Sequence, residues 1–117
     1  MPEEVVADGS SGAAGDGWVE VARLQAVPVG QLLQVKVGRI EIVLANVDGV
    51  VYALEDVCSH QDFPLSDGEL EGTELECAFH GAKFDVCTGN ATQLPAVKAV
   101  RAFDVEDRDG AVFVRVD

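Results

Sequence analysis

The 117-residue chain lacks long apolar runs and has few basic residues. Its 8 Lys and Arg stand against 21 Asp and Glu, a formal net charge of −13, so its surface repels phosphate backbones and anionic lipid. The longest apolar runs, such as residues 42–45 and 49–54, are far too short to span a bilayer. We therefore expect neither a nucleic-acid partner nor a membrane role.

The amino-terminal segment lacks the basic start and the apolar stretch of a signal peptide. Residues 1–17 are instead acidic and rich in Gly, Ala and Ser, which predicts a disordered tail. The remaining residues, 18–117, suffice for one domain with its own core. We expect a cytoplasmic protein that is a monomer in solution.

Cysteine and histidine are also scarce. Three cysteines are an odd number at low density, which argues against a disulfide scaffold. In a cytosolic protein such cysteines are more often metal ligands or core residues. There are only two histidines, so any site that needs more of them is excluded.

Beyond the tail, short runs with strand-like alternation are separated by turn residues. Asp48-Gly49 and Asp109-Gly110 are dipeptides typical of hairpin turns. No segment has a helical period over three turns, so we predict an all-β fold. The predicted strands cover residues 18–24, 32–37, 39–47, 50–54, 97–106 and 111–116.

The segment between the two β regions, about residues 56–95, differs in composition. It holds all three cysteines, both histidines and many Gly, Asp and Pro residues. Weak strands are predicted at residues 69–70, 73–77 and 82–86. We predict a small, loop-rich subdomain inserted into a β-sandwich or barrel.

Two short motifs in this segment contain the candidate metal ligands. They are Cys58-Ser59-His60 and Cys77-Ala78-Phe79-His80, and sixteen residues separate them. Each motif offers one thiolate and one imidazole. Together they supply two sulfur and two nitrogen ligands, a set that suits tetrahedral zinc or an iron–sulfur cluster.

The spacing distinguishes the two kinds of site. Zinc fingers usually pair Cys with Cys at one end and His with His at the other, whereas each end is mixed here. C-x-H followed by C-x-x-H matches the Rieske [2Fe–2S] pattern, in which two His replace two Cys on one iron. Both histidines of the chain fall inside this pattern.

Residues 58–90 resemble the cluster-binding subdomain of Rieske-type ferredoxins, components of bacterial aromatic-ring dioxygenase systems, and the resemblance extends over nearly all of residues 18–117. It implies a Rieske domain, with an antiparallel β-sandwich or barrel base and an inserted cluster-binding subdomain. It also implies one [2Fe–2S] cluster per chain. Cys58 and Cys77 would bind the inner iron, and His60 and His80 the outer, solvent-facing iron.

The function implied by the resemblance is one-electron transfer in aromatic hydrocarbon catabolism, without catalysis by this chain. Electrons would pass from a flavoprotein ferredoxin reductase to a terminal non-haem iron oxygenase. The oxygenase itself needs a second iron held by two further His and a carboxylate, which two histidines cannot provide. Service to a monooxygenase or to Fe–S assembly, and a role like that of a nitrite-reductase small subunit, remain alternatives.

Four residues near the ligands indicate how the cluster is tuned. High-potential members of the family carry an extra Cys in each ligand loop, joined as a disulfide, where this chain has Phe63 and Phe79. They also carry a Ser and a Tyr whose hydroxyls donate to sulfur, where this chain has Ala82 and Phe84. We therefore predict a potential in the low part of the range for the class, about −150 to +300 mV.

Cys87 fits neither ligand pair, so we interpret it as a structural or incidental thiol rather than a fifth ligand or redox switch. Phe63, Pro64, Phe79 and Pro95 either pack the ligand loops or form an apolar collar for a partner; for Pro95 the resemblance favours a loop that covers the cluster.

Acidic residues are concentrated around the ligand loops. They form either a solvated face or a recognition face for a basic partner. Asp85 is expected to brace a loop. The acidic stretch consists of Asp62, Asp67, Glu69, Glu71, Glu74 and Glu76.

Overall fold

The computed structural model describes residues 6–7, 17–58, 63–78, 81–94 and 98–116, and within these ranges the chain forms eleven strands and two short 3-10 helices. The helices are Leu24–Ala26 and Leu65–Asp67. The strands are β1 Val6–Ala7, β2 Trp18–Arg23, β3 Leu32–Val37, β4 Ile40–Val47, β5 Val50–Glu55, β6 Glu69–Glu71, β7 Glu74–Glu76, β8 Lys83–Asp85, β9 Ala91–Gln93, β10 Ala102–Arg108 and β11 Ala111–Arg115.

Seven strands form the larger sheet, in the order β1-β3-β4-β5-β10-β11-β2. All its pairings are antiparallel except that of β1 with β3. Strands β1 and β2, at the two ends of this order, contact each other, so the sheet nearly closes into a barrel. The predicted all-β class with a barrel-like base is confirmed.

Both predicted hairpin turns are present. Asp48 and Gly49 have φ values of 53° and 94°, and Asp109 and Gly110 have values of 56° and 86°. Positive φ at both central residues defines the type I′ turn, whose twist matches that of the strands it joins. The turns set the register of β4 on β5 and of β10 on β11.

The inside of the larger sheet is filled by what we call the barrel cluster. Most of its side chains come from alternate positions of their strands, such as Val19 with Val21, Ile42 with Leu44 and Val112 with Val114, so one face of each strand points inside. The buried members are Val19, Val21, Ala22, Val27, Val35, Ile42, Leu44, Val51, Ala53, Phe103, Val112 and Val114.

Strand β4 is buried on both of its faces. Ile42 and Leu44 belong to the barrel cluster, whereas Val43 and Ala45 point to the opposite side and are equally buried. The second face is covered because a smaller sheet, in the order β6-β7-β8-β9, packs on it. This strand therefore joins the two layers.

The smaller sheet and the outer face of β4 and β5 enclose a second set of buried residues, the loop cluster. It contains two of the three cysteines. Its members are Val43, Ala45, Leu54, Cys58, Leu65, Leu75, Cys77, Ala82, Phe84, Val86 and Val100. All four strands of the smaller sheet lie inside the segment 56–95, whose role as a cluster-binding unit stays a prediction.

Five of the six main strand predictions, and all three weak ones, agree with the structure to within one residue at each end. The predicted strand over residues 97–106 is wrong at its start, because β10 begins at Ala102. Val100 instead donates its N–H to the carbonyl of Gly89, which lies between β8 and β9, at 2.9 Å. Strand β9 was not predicted, since Ala91–Gln93 is short and has no apolar alternation.

Within the predicted tail the structure describes only Val6–Ala7, which pairs in parallel with the end of β3, and Gly17. The other residues of the tail lie outside the described ranges. No helix among the described residues is long and apolar enough to cross a bilayer.

Leu44→Ala should lower the free energy of unfolding by about 3 kcal/mol, since it removes a fully buried side chain and leaves a cavity in the barrel cluster. Leu94→Ala is the matched control, because Leu94 is 71% exposed and its truncation should cost less than about 0.5 kcal/mol. Urea unfolding followed by circular dichroism measures both. Equal losses would mean that Leu44 does not lie in the core.

Candidate metal centre

The first cysteine loop, residues 58–63, follows the end of β5. Cys58 lies three positions after Glu55 and is 2% exposed. Its N–H donates to the carbonyl of Phe63 at 2.7 Å. This bond holds together the two ends of the segment 59–62, which itself lies outside the described residues.

The second cysteine loop, residues 77–82, follows β7 directly. Cys77 is likewise 2% exposed, and its N–H donates to the carbonyl of Ala82 at 2.7 Å. Strand β8 then begins at Lys83. In both loops the bond joins a cysteine to the residue five positions later, so the two loops are closed in the same way.

The two cysteines belong to the same loop cluster and are surrounded by aliphatic and aromatic side chains. Neither Cys58 nor Cys77 forms a disulfide. A thiolate in such surroundings is costly unless a positive charge accompanies it, and a metal ion supplies that charge. Two buried thiol side chains on equivalent loops therefore suit the sulfur side of a mixed sulfur and nitrogen metal site.

The two predicted nitrogen ligands, His60 and His80, lie outside the described residues, as do Phe79 and Pro95. Across the ranges that the structure covers, no group of three or more His, Cys, Asp or Glu could hold a metal ion. Further ligands for a site based on the two cysteines would therefore come from outside the described ranges, which is where both histidines lie. The four-residue ligand set stays a prediction.

The described surroundings of the cysteines have the apolar character that the sequence indicated. Ala82 and Phe84 are 0% exposed, both belong to the loop cluster, and neither carries a hydroxyl. Phe63 is half-buried and packs against the same cluster, and Pro64 is half-buried too. Packing of the first cysteine loop is thus an observed role of Phe63.

Gly68 was not singled out in the sequence as a site residue, yet it lies against the backbone of the strand that leads to Cys77. A Cβ atom there would lie 1.9 Å from the carbonyl oxygen of Glu76, the residue before Cys77. Its φ of −89° is open to any residue, so the requirement for glycine comes from the contact and not from the backbone angle. Only the folded chain reveals such a contact.

Asp56 was also missed. It is 3% exposed and lies two positions before Cys58, and its carboxylate accepts hydrogen bonds from Gln34 and Ser66. The signal available in the sequence was an acidic pair, Glu55-Asp56, at the end of an apolar strand. Its partners, 10 and 22 positions away, could not be read from it.

Cys87 lies apart from the loop cluster and is exposed. Its N–H donates to Asp85 Oδ1 at 2.8 Å, so Asp85 braces this turn as predicted. The thiol forms a hydrogen bond with the hydroxyl of Tyr52, and this bond raises the pKa of Tyr52 above its ordinary value, with the charges of Cys87 and Asp85 and partial burial adding to the shift. The contact links β5 to the turn after β8.

One face of the smaller sheet is acidic. Glu69 pairs with Glu76 and Glu71 pairs with Glu74 across β6 and β7, so like charges lie opposite each other, which destabilises a sheet. Lys83 offsets this repulsion from β8, with its Nζ 3.2 Å from Glu71 Oε1. The hydrogen bond and charge of Glu71, followed by the charges of Glu76 and Glu74, raise the pKa of Lys83 above 10.5.

Comparison with known proteins identifies similar chains. The sequence profile of the family described as "Rieske [2Fe-2S] domain" matches residues 17–104. The ferredoxin component of the naphthalene 1,2-dioxygenase/salicylate 5-hydroxylase systems of Ralstonia sp. is 38% identical over 100 residues, which cover 86% of this chain and 96% of that protein.

Two solved structures share the fold. The ferredoxin of carbazole 1,9a-dioxygenase from Nocardioides aromaticivorans IC177 has a TM-score of 0.83 and 33% identity over 86% of this chain and 98% of its own. A chain in a complex of reduced oxygenase and oxidized ferredoxin in carbazole 1,9a-dioxygenase has a TM-score of 0.80 and 34% identity, over 86% of this chain and 94% of its own.

Gly68→Ala should displace the Glu76 carbonyl and with it the start of the second cysteine loop. We expect less iron bound per chain and a loss of about 2 kcal/mol or more in the free energy of unfolding.

Gly72→Ala is the control, because Gly72 lies in the nearby turn between β6 and β7 and a Cβ atom there would have nothing within 4 Å. Its φ of 62° should cost about 1 kcal/mol while iron binding is unchanged. Metal analysis of the purified proteins distinguishes the two, and full iron binding by the Gly68 variant would contradict the role given to this contact.

Proposed function

Since the chain belongs to the Rieske [2Fe–2S] domain family, we propose that it holds one [2Fe–2S] cluster on Cys58, His60, Cys77 and His80 and delivers single electrons to a terminal non-haem iron oxygenase. It is an electron carrier and not an enzyme. The observation that carries the proposal is the matched closure of the two cysteine loops, each by a bond from a buried cysteine N–H to the carbonyl five positions later.

A bound cluster of this type supplies reversible one-electron chemistry, at a potential raised by the two neutral imidazoles that replace thiolates. The work of this chain is to hold the group and to exclude water from its sulfur side. Cys58 and Cys77 suit this role, because both are buried among the apolar side chains of the loop cluster. Ala82 and Phe84 add bulk there without donating a hydrogen bond, which favours a low potential for the class.

The partners follow from the relatives. The similar chain from Ralstonia is a ferredoxin component of dioxygenase systems, and a similar chain was solved in a complex with an oxygenase. We assign this chain the same place, between a flavoprotein ferredoxin reductase and an aromatic-ring dioxygenase. Its net charge of −13 suits fast encounters with electropositive protein surfaces.

The organisation that we propose is one Rieske domain over residues 18–117, with residues 56–95 as its cluster-binding subdomain and residues 1–17 as a tail. The position of strands β6 to β9 and of both buried cysteines within residues 56–95 supports this division. The carrier works as a cytoplasmic monomer.

The test of the function begins with the purified protein. We expect two irons and two acid-labile sulfides per chain, and a Rieske-type electron paramagnetic resonance (EPR) signal after reduction. His60→Cys and His80→Cys should each lower the potential or abolish cluster binding, because a thiolate adds negative charge to the site.

Cys87→Ser is the matched control, since Cys87 is exposed and outside the loop cluster, and it should leave iron content and spectrum unchanged. A colourless protein that contains zinc would refute the assignment of the cofactor. Unchanged spectra in both histidine variants would refute the ligand set.

Added hydrogen-bond donors test the tuning of the site. Ala82→Ser and Phe84→Tyr should each raise the midpoint potential by about 65 mV or more, because a hydrogen bond to a charged group contributes about 1.5 kcal/mol or more and 59 mV corresponds to a tenfold change in a one-electron couple. Ala53→Ser, at an equally buried position of the barrel cluster, should leave the potential unchanged. Protein-film voltammetry measures these shifts, and a wild-type midpoint well above zero would contradict the low-potential prediction.

A further inference from the structure

Asp56 is a buried acidic side chain that the electron-transfer chemistry does not use. It lies between the end of β5 and Cys58, and it is 3% exposed. A carboxylate in such a place is costly unless all of its oxygen atoms accept hydrogen bonds. Its partners therefore indicate why the residue is there.

Three donors converge on this carboxylate. Ser66 donates its backbone N–H to Oδ1 and its hydroxyl to Oδ2, each at 2.7 Å, and Gln34 Nε2 donates to Oδ2 at 2.5 Å. Gln34 belongs to β3 of the larger sheet, whereas Ser66 belongs to the 3-10 helix after the first cysteine loop. Asp56 thus connects the larger sheet to the chain on both sides of that loop.

The two cysteine loops differ in how their bases are held. The second loop rises from the ladder between β7 and β8, in which Leu75 pairs with Phe84 and Glu76 with Lys83. Among the described residues, no strand pairing joins the two sides of the first loop, because the returning side forms a 3-10 helix. The hydrogen bonds between Asp56 and Ser66 join the two sides of the first loop, as the pairing of β7 with β8 joins the two sides of the second.

We propose that Asp56 is the positioning residue of the first cysteine loop: its carboxylate clamps Ser66 to the larger sheet and thereby fixes the place of Cys58. The inference rests on the proposed cluster site and adds a residue to it. A clamp of this kind governs how firmly Cys58 stays in place, and hence how slowly a bound cluster is lost.

The donors explain why the residue is an aspartate. All three neighbouring groups donate, and a carboxylate offers acceptor oxygens alone. The substitution Asp56→Asn keeps the volume but removes the charge, so Ser66 and Gln34 no longer donate to a carboxylate, and the introduced NH₂ group is paired only if one of these side chains turns an oxygen toward it. Charge-assisted hydrogen bonds of this kind are the stronger ones in proteins.

The test uses the holoprotein and two readouts. In Asp56→Asn, loss of the cluster to a chelator, followed by absorbance, should be faster by roughly tenfold, the ratio expected when hydrogen bonds to a charged group are replaced by neutral ones. Hydrogen exchange, measured by mass spectrometry on a peptide that covers residues 55–66, should accelerate in parallel. The EPR signal of the reduced protein should broaden as the position of Cys58 becomes less uniform.

A compensating variant separates the clamp from a general loss of stability. In Asp56→Asn combined with Gln34→Glu, the donor and acceptor roles are exchanged, so the introduced amide can donate to the introduced carboxylate. Chelator loss and hydrogen exchange should both return toward the wild-type rates. Ser66→Ala, which removes only the hydroxyl donor, should give an intermediate rate.

Asn46→Ala is the matched control, because Asn46 is equally buried and bonds Val27 and Gly49 in the larger sheet. It should lower the melting temperature without changing the rate of cluster loss. The clamp would be overturned if Asp56→Asn lost its cluster at the wild-type rate. It would also be overturned if Asn46→Ala accelerated cluster loss equally, or if the compensated variant showed no recovery. A wild-type protein without iron would instead overturn the proposed function.

Discussion

The hydrogen bond from a buried cysteine N–H to a carbonyl five positions later is the interaction on which the site depends. It uses only backbone atoms, so the closure of each loop is independent of the side chains between its ends. It occurs twice, at Cys58 and at Cys77, with the same length of 2.7 Å. Two loops closed alike bring two thiols into one buried cluster, where both can bind the same group.

This closure has a different support in each loop. The second loop continues a β ladder, so its geometry is an extension of regular structure. The first loop continues into a 3-10 helix, so its two sides are joined by hydrogen bonds from Ser66 to the Asp56 carboxylate instead of by strand pairing. The cysteines of both loops share the loop cluster with Val43 and Ala45 of β4, whereas Ile42 and Leu44 of the same strand belong to the barrel cluster. A change in this strand therefore reaches both layers.

Local chemistry explains which parts of the fold could be predicted. Asp48-Gly49 and Asp109-Gly110 predict the two hairpins, because the turn needs positive φ at two successive residues and such dipeptides tolerate it. The flanking strands were predicted from the alternation of apolar and polar residues. Cys58 and Cys77 were likewise singled out by their spacing to the histidines, and their role as sulfur ligands stays a prediction. The start of β10 was missed because Val100 bonds to Gly89, a contact made only in the folded chain. Gly68 and Asp56 were missed for the same reason, since each acts through residues at least eight positions away.

The three cysteines differ sharply in their surroundings. Cys58 and Cys77 are enclosed in the loop cluster, whereas Cys87 is exposed on a turn beside Tyr52. A maleimide reagent would therefore meet one accessible sulfur on the native protein. This makes Cys87 a natural attachment point for a single fluorophore or nitroxide, with which the approach of a second protein to this carrier could be followed without altering the sequence.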